Sequence, residues 1–242
     1  AKMSKAKGNT VDPEDLIKKY GADTVRLFMM FAAPPEQALE WSDEGAHGSF
    51  RFLNKFWSAV VNHIDSGKPV KLQKKILTNS QKNLRRKLHQ TILKINDDLG
   101  RRNSFNTAVA ASMELLNAVN KFKDSSENGY AIKHEALESI VIMLSPIVPH
   151  VCHALWQKLG HDSALIDQRW PEYDESAVAL DLIEIVIQVN GKLRGRISVS
   201  TDTDSIKLEK MAIAENNVKK FIGDKAVKKV IVVPGKLVNI VV

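Results

Sequence analysis

A single change of hydrophobic period divides this chain. From residue 42 to about 159, apolar side chains recur at three and four residues; from 182 onward they alternate. A helix returns to the same face every third or fourth residue and a strand every second, so the two stretches must build different kinds of layer. In the first stretch, Phe50, Leu53, Phe56, Trp57, Val60 and Ile64 give residues 42–66 a wide apolar face. Ser42 stands as its N-cap and Gly67 lies past its end. Thr78 and Gln81 have the spacing of a capping box for a second long helix along Leu84, Leu88, Ile92, Ile95 and Leu99. Further helices are expected over 106–122, 132–144 and 150–159, the last two separated by Pro146 and Pro149. Short connections between long helices predict an antiparallel bundle.

Residues 161–181 lose periodicity and read as a linker. Beyond them, strands are expected over 182–189 and 193–199, joined by Asn190-Gly191, a two-residue hairpin turn. A helix over 203–222 follows, then strands over 227–233 and 237–242 around Pro234-Gly235. The expected fold is therefore a mainly α helical bundle over 44–160 followed by a small α+β (ββαββ) domain over 182–242.

The net charge is +7. Residues 1–43 are close to neutral, so the excess belongs to the bundle and, more densely, to the tail. A basic surplus suits a polyanionic partner. No apolar run approaches the roughly 18 residues of a spanning helix, so no membrane partner is expected. A lone cysteine, Cys152, excludes an internal disulfide framework and a four-cysteine zinc site. His150 and His153 read as a packed pair, and no metal site is assigned. The opening residues have no signal-peptide pattern, so the expected location is the cytoplasm.

The hairpin places Lys192, Arg194 and Arg196 at alternate positions. In a regular strand that spacing puts three cations on one face, matched to a phosphate backbone. The competing reading is an edge strand that charge protects against aggregation. Lys236, at the second turn, is a weaker candidate for the same contact.

The chain opens Ala1-Lys2-Met3-Ser4-Lys5-Ala6-Lys7-Gly8, a flexible basic loop. Asp12-Pro13-Glu14-Asp15 then starts a short helix ended by Gly21, and Gly21-Ala22-Asp23-Thr24-Val25-Arg26 leads on to Pro34-Pro35. This order resembles class I aminoacyl-tRNA synthetases, whose KMSKS signature matches Lys2-Met3-Ser4-Lys5, with Ala6 where the family usually has serine. Arg26-Leu27-Phe28, Leu39-Glu40-Trp41, Phe105-Asn106-Thr107-Ala108, Pro149-His150-Val151-Cys152 and Val189-Asn190-Gly191-Lys192 are similar to bacterial leucyl-tRNA synthetases in particular. The resemblance covers nearly the whole chain.

That resemblance implies a C-terminal portion of such an enzyme. Lys2, Met3, Ser4 and Lys5 would contact ATP, with Mg2+ accompanying it, and Lys2 and Lys5 would be catalytic. Residues 1–43 would be the signature loop and following helices at the edge of a catalytic domain, and 44–160 an anticodon-binding-like bundle. Residues 182–242 would touch the outer corner of a leucine-accepting tRNA. Arg85, Arg86, Arg101 and Arg102 are the bundle's candidates for RNA backbone contacts, solvated helix ends explaining them equally well.

No His-x-Gly-His motif is present, and no strand–helix alternation builds a parallel sheet before residue 180. Catalytic and editing portions are expected as partners from the same enzyme, and the chain alone is expected to bind tRNA weakly and hold no ATP. The intact parent would ligate leucine to tRNA through leucyl-adenylate. The alternative is a free-standing RNA-binding or structural module; the Lys2–Lys7 loop favours the ligase, since a pure binding module needs no ATP loop.

Overall fold

The computed structural model describes residues 12–68, 70–179, 182–201, 203–223 and 225–242. They form two compact units, one ending at Val178 and the other beginning at Ala179.

The first unit is helical. Asp12 accepts a hydrogen bond from the Glu14 amide at 2.9 Å and opens α1, Pro13–Tyr20, with proline at its first turn. Gly21, at φ 83°, lies in the left-handed region and turns the chain into α2, Ala22–Ala32. Helix α3 spans Asp43–Asp65, and Ser42 Oγ caps it by accepting from the Gly45 amide at 3.1 Å. The expected capping box is present at the start of α4, Asn79–Gly100: Thr78 Oγ1 accepts from the Gln81 amide at 3.3 Å and Gln81 Oε1 from the Thr78 amide at 2.9 Å. Helices α5 (Phe105–Lys121), α6 (Glu127–Leu144) and α7 (Pro149–Lys158) complete the bundle. Its core contains Phe56, Leu88, Ile92, Leu116, Leu137 and Ile140, all essentially inaccessible to solvent. Each contributes about 1.5–3 kcal/mol through removal of apolar surface from water.

Two boundaries differ from expectation. Helix α6 begins at Glu127 rather than at 132, because Ser126 Oγ caps it through the Gly129 amide at 3.1 Å. Gly129 is a packing glycine inside the first turn: a Cβ there would lie 2.6 Å from an Asp124 carboxylate oxygen. The second difference is larger. Residues 161–178, expected as linker, are bound to the bundle. Leu165 is buried, Trp170 Nε1 donates to Asn96 Oδ1, and α8, Glu175–Val178, follows Asp174. Asp174 accepts from Arg85 Nη2 at 2.8 Å and Lys74 Nζ at 2.9 Å, while its amide donates to His89 Nδ1 at 3.2 Å. A polar segment thus carries one residue that three side chains hold, Arg85 and Lys74 at its carboxylate and His89 at its amide.

Imidazoles cross the same unit. His63 Nε2 lies 3.2 Å from His134 Nδ1, and His134 Nε2 lies 3.4 Å from Glu138, which also meets His161. His63 stacks on Tyr130 and His161 on Trp156.

The second unit is a four-stranded sheet with two helices on one face. Strands β1 (Leu182–Val189), β2 (Lys192–Ser200), β3 (Lys229–Val233) and β4 (Leu237–Val241) stand in the order β2-β1-β4-β3, antiparallel except for the central β1–β4 pair. Ile185, Ile187, Val189, Val238 and Ile240 face inward. The helix expected over 203–222 is broken into α9, Ser205–Ala214, and α10, Asn216–Ile222. Glu215 causes the break: its backbone is extended, and its carboxylate caps α10 by accepting from the Val218 amide at 2.7 Å. Asn190 and Gly191, at φ 48° and 76°, form the expected tight hairpin turn.

Candidate nucleic-acid interface

The basic hairpin is positioned by the β1–β2 register. Ile187 pairs with Gly195, but the next residue along β1, Gln188, pairs with Leu193, leaving Arg194 unopposed. This β-bulge breaks the alternation on which the three-cation face depended. Arg196, opposite Val186, belongs to the open face and pairs with Glu184 at 2.7 Å. Lys192 stands opposite Val189, whose side chain is buried on the helix side. Arg194 turns toward α10, its guanidinium carbon 3.8 Å from the centre of the Phe221 ring, and its carbonyl accepts from Asn217 Nδ2 at 2.8 Å. The three cations therefore surround the β2 edge instead of lining one face.

Gly195 is required beneath α10, since a Cβ there would come within 3.0 Å of Val218 and 2.9 Å of Glu215. The register also sets Arg196, Val186 and Leu237 in one row, with Lys236 preceding Leu237 in the β3–β4 turn. Lys192 and Lys236 are exposed, and their side chains have no partner among the described residues. The open face adds Ile231 and Val233, both more than a third exposed. The result is an edge bordered by cations beside an open face that mixes Val186, Ile231, Val233 and Leu237 with Glu184 and Asn239.

The bundle arginines divide differently. Arg85 is no surface contact: its side chain is 5% exposed and binds Glu135 at 3.1 and 3.3 Å as well as Asp174. Burial works to raise the pKa of Glu135, but the hydrogen bonds from His89 and Arg85 hold it below the ordinary value. Asp174 is held far below the usual carboxylate range by its bonds to Ser176, Arg85 and Lys74. Arg86 is half-buried and donates to Asn83 at 3.0 Å. Arg101 binds Asp97 through two nitrogens, at 2.6 and 2.9 Å, and Arg102 binds Asp98 at 3.1 Å. Both remain largely exposed, with one carboxylate a turn behind each.

Residues 22–26, singled out by the resemblance, hold the two sides of the α6–α7 connection. Asp23, 6% exposed, accepts from the Val151 amide at 2.7 Å and meets His150 Nδ1 at 2.8 Å. Arg26 donates to the carbonyls of Ile147 and Pro146 at 2.8 and 2.9 Å. His150 thus belongs to Asp23, whereas His153 faces the Leu165 amide, so they are not the expected pair. No cluster suited to a metal ion occurs among the described residues, nor any helix long and apolar enough to cross a membrane. Lys2, Met3, Ser4 and Lys5 lie outside the described residues.

Sequence reasoning found the hairpin cations but not Phe221, Asp174 or Glu135, their partners or those of Arg85. The helix expected over 203–222 takes Phe221 as an inward residue, but it is 42% exposed and carries Arg194 over its ring. The two acids are 89 and 50 residues from Arg85, beyond any local pattern.

A family model described as the anticodon-binding domain of tRNA ligase matches residues 81–211, and one described as tRNA synthetases class I (I, L, M and V) matches residues 1–42. The chain is 58% identical over 241 residues to the leucine--tRNA ligase of Alcanivorax borkumensis and 57% identical over 242 residues to that of Thioalkalivibrio sulfidiphilus. In both comparisons it is covered completely and spans 30% of the relative. Among solved structures, the LeuRS of Agrobacterium radiobacter K84, in a ternary complex with tRNA and LeuAMS, gives a TM-score of 0.72 at 24% identity. That match covers 99% of this chain and 30% of the other. The apo methionyl-tRNA synthetase of Mycobacterium tuberculosis gives a TM-score of 0.51 at 18% identity, covering 62% of this chain and 35% of that one.

Proposed function

Because this chain belongs to the family of anticodon-binding domains of tRNA ligases, we propose that it is the tRNA-holding part of a leucine--tRNA ligase. The observation that carries the reading is end-to-end similarity to ligases of that one specificity, 58% with the Alcanivorax relative. The cationic β2 edge supplies a surface of suitable chemistry: Lys192, Arg194, Arg196 and Lys236 approach phosphates, a contact that tolerates any sequence. Arg101 and Arg102 are further contacts, each exchanging a carboxylate for phosphate.

In the whole ligase, leucine is joined to its tRNA at the expense of ATP in the cytoplasm, with Mg2+ accompanying the nucleotide. Lys2, Met3, Ser4 and Lys5 hold the ATP phosphates there, and Lys5 meets the charge that develops as leucyl-adenylate forms. The remaining catalytic and editing portions of the ligase are this chain's other partners. Residues 1–43 form the junction with the catalytic portion, 44–178 the bundle and 179–242 the tail.

The 242-residue chain is tested with labelled tRNA and with leucine-dependent pyrophosphate exchange. Salt-sensitive binding without exchange is expected. Exchange by the chain alone, or no affinity for tRNA at low salt, overturns the reading. In the whole ligase, Lys5→Ala lowers the exchange rate by about 2–4 kcal/mol of barrier, as loss of a comparable donor does. Normal exchange with weakened tRNA binding would contradict that role.

A further inference from the structure

We propose that Lys68, Lys71, Lys75, Lys121 and Lys123, at the end of the bundle away from Arg101 and Arg102, form a second RNA-backbone site that grips phosphates and reads no base. The proposal rests on the tRNA-holding role above and adds a surface to it. Helices α3 and α5 end, and α4 and α6 begin, at this end of the first unit. Arg101 and Arg102 lie beyond the other end of α4, roughly 30 Å away by helix rise. Side chains knit the two connections together. The Gln73 amide donates to Asn128 Oδ1 at 2.9 Å, and Gln81 Nε2 donates to Asp124 Oδ2 at 2.7 Å and Ser126 Oγ at 3.1 Å. Gly67 lies so close to Tyr130 of α6 that a Cβ on it would come within 2.8 Å of the ring. Residues 66–78 and 122–126 therefore share one surface.

All five lysines are exposed, and their side chains have no partner among the described residues. Lys74, between them, is taken by Asp174 at 2.9 Å. Lys133 stands over the buried Phe122 ring, and burial, then the neighbouring Lys123, lowers its pKa, with Asp124 acting in the other direction. A second cation thus stands beside Lys123. The acids of this surface are Asp65, Asp124 and Glu127, and none pairs with the five lysines among the described residues; Asp124 accepts instead from Gln81 and the Ser126 amide. The dipole at the end of α5 suits Lys121. The other four lie in the connections leading into α4 and α6, where positive charge is disfavoured. Like charges gathered without counter-charge repel one another, and a polyanion relieves that repulsion.

The side chains also say what kind of polyanion fits. Neither connection carries an arginine to fork onto a guanine edge, and their one aromatic residue, Phe122, is buried and cannot stack on a base. Lysine offers a point charge on a flexible stem, which suits a phosphate backbone of any sequence.

Labelled leucine-accepting tRNA is titrated at several salt concentrations against the parent chain, Lys71→Ala/Lys75→Ala/Lys121→Ala/Lys123→Ala, and the same four positions changed Lys→Arg. The alanine variant should bind roughly tenfold or more weakly at low salt and lose about 3 units of slope, somewhat under one per contact. The Lys→Arg variant should keep the parental slope, and a tRNA with a changed anticodon should show the same loss. The alanine variant should melt at or above the parental temperature, because repulsion has been removed. Parental affinity and slope in that variant, beside a parent that binds, overturn this site alone. A parent without salt-sensitive affinity for tRNA overturns the tRNA-holding role and this site with it. Weaker binding that comes with a lower melting temperature, or only with one anticodon, also overturns the proposal. So does poly-glutamate that binds the parent as tightly as tRNA and is lost in the alanine variant, since the surface then serves an acidic protein.

Discussion

His63 is a buried imidazole whose surroundings oppose its charge. Burial, then the neighbouring His134 and Lys133, lower its pKa from 6.5 to about 4, with Glu138 acting in the other direction. The folded state therefore binds fewer protons at this residue than the unfolded state between those values. Its contribution is complete above the unfolded pKa and declines as pH falls toward the folded one. The full loss is about 3 kcal/mol, from roughly 1.4 kcal/mol per pKa unit. Melting the chain at pH 7 and pH 5 should show this decline, and His63→Phe, which retains an aromatic face for Tyr130, should flatten it. An unchanged pH slope in His63→Phe would refute the assignment; Glu138, whose pKa is lowered below a carboxylate's ordinary value, acts at lower pH. At Gly195 the constraint is space. Gly195→Val should destabilise the second unit by about 1–3 kcal/mol, the usual cost of overpacking, measurable by denaturant titration of that unit's transition. A neutral result would mean that α10 moves aside freely.

Helix boundaries followed from the sequence wherever a cap and a period agreed, as at Asp12, Ser42 and Thr78. They failed where one residue served two structures. Glu215 ends α9 and caps α10, so a continuous apolar pattern from Ile206 to Ile222 concealed a break. Glu215→Ala should cost about 1 kcal/mol, typical of losing an N-cap, and raise amide exchange in α10 first. Equal exchange in α9 and α10 would contradict the cap. The segment before the second unit was misread for a different reason: its attachment is ionic and distant in sequence. Arg85→Met should release residues 165–178 and destabilise the bundle by about 2–3 kcal/mol, less than the roughly 3–5 of a fully buried pair because Asp174 is partly exposed. Hydrogen exchange over that segment distinguishes release from retention. The β-bulge was equally hidden, since nothing in Lys192-Leu193-Arg194-Gly195-Arg196 marks which residue the partner strand will skip.

For the molecule as a whole, periodicity was enough to separate a helical unit from a β-rich one, because burial dictates the period of each. The site was only partly readable. Charge and turn chemistry singled out the hairpin, but partner choice decides which cations are available, and partners arise from folding. Arg196 has Glu184, Arg194 has Phe221, and the side chains of Lys192 and Lys236 have no partner among the described residues. The central claim, that this chain holds tRNA through its cationic β2 edge, is tested by titrating labelled tRNA at several salt concentrations with the parent chain and with Lys192→Ala/Arg196→Ala. Each phosphate contact releases counterions, so the variant should bind more weakly at low salt and lose somewhat under one unit of slope per contact, about 1.5 in all. Parental affinity and slope in the variant, with only increased aggregation, would contradict the claim and leave the cations as edge protection.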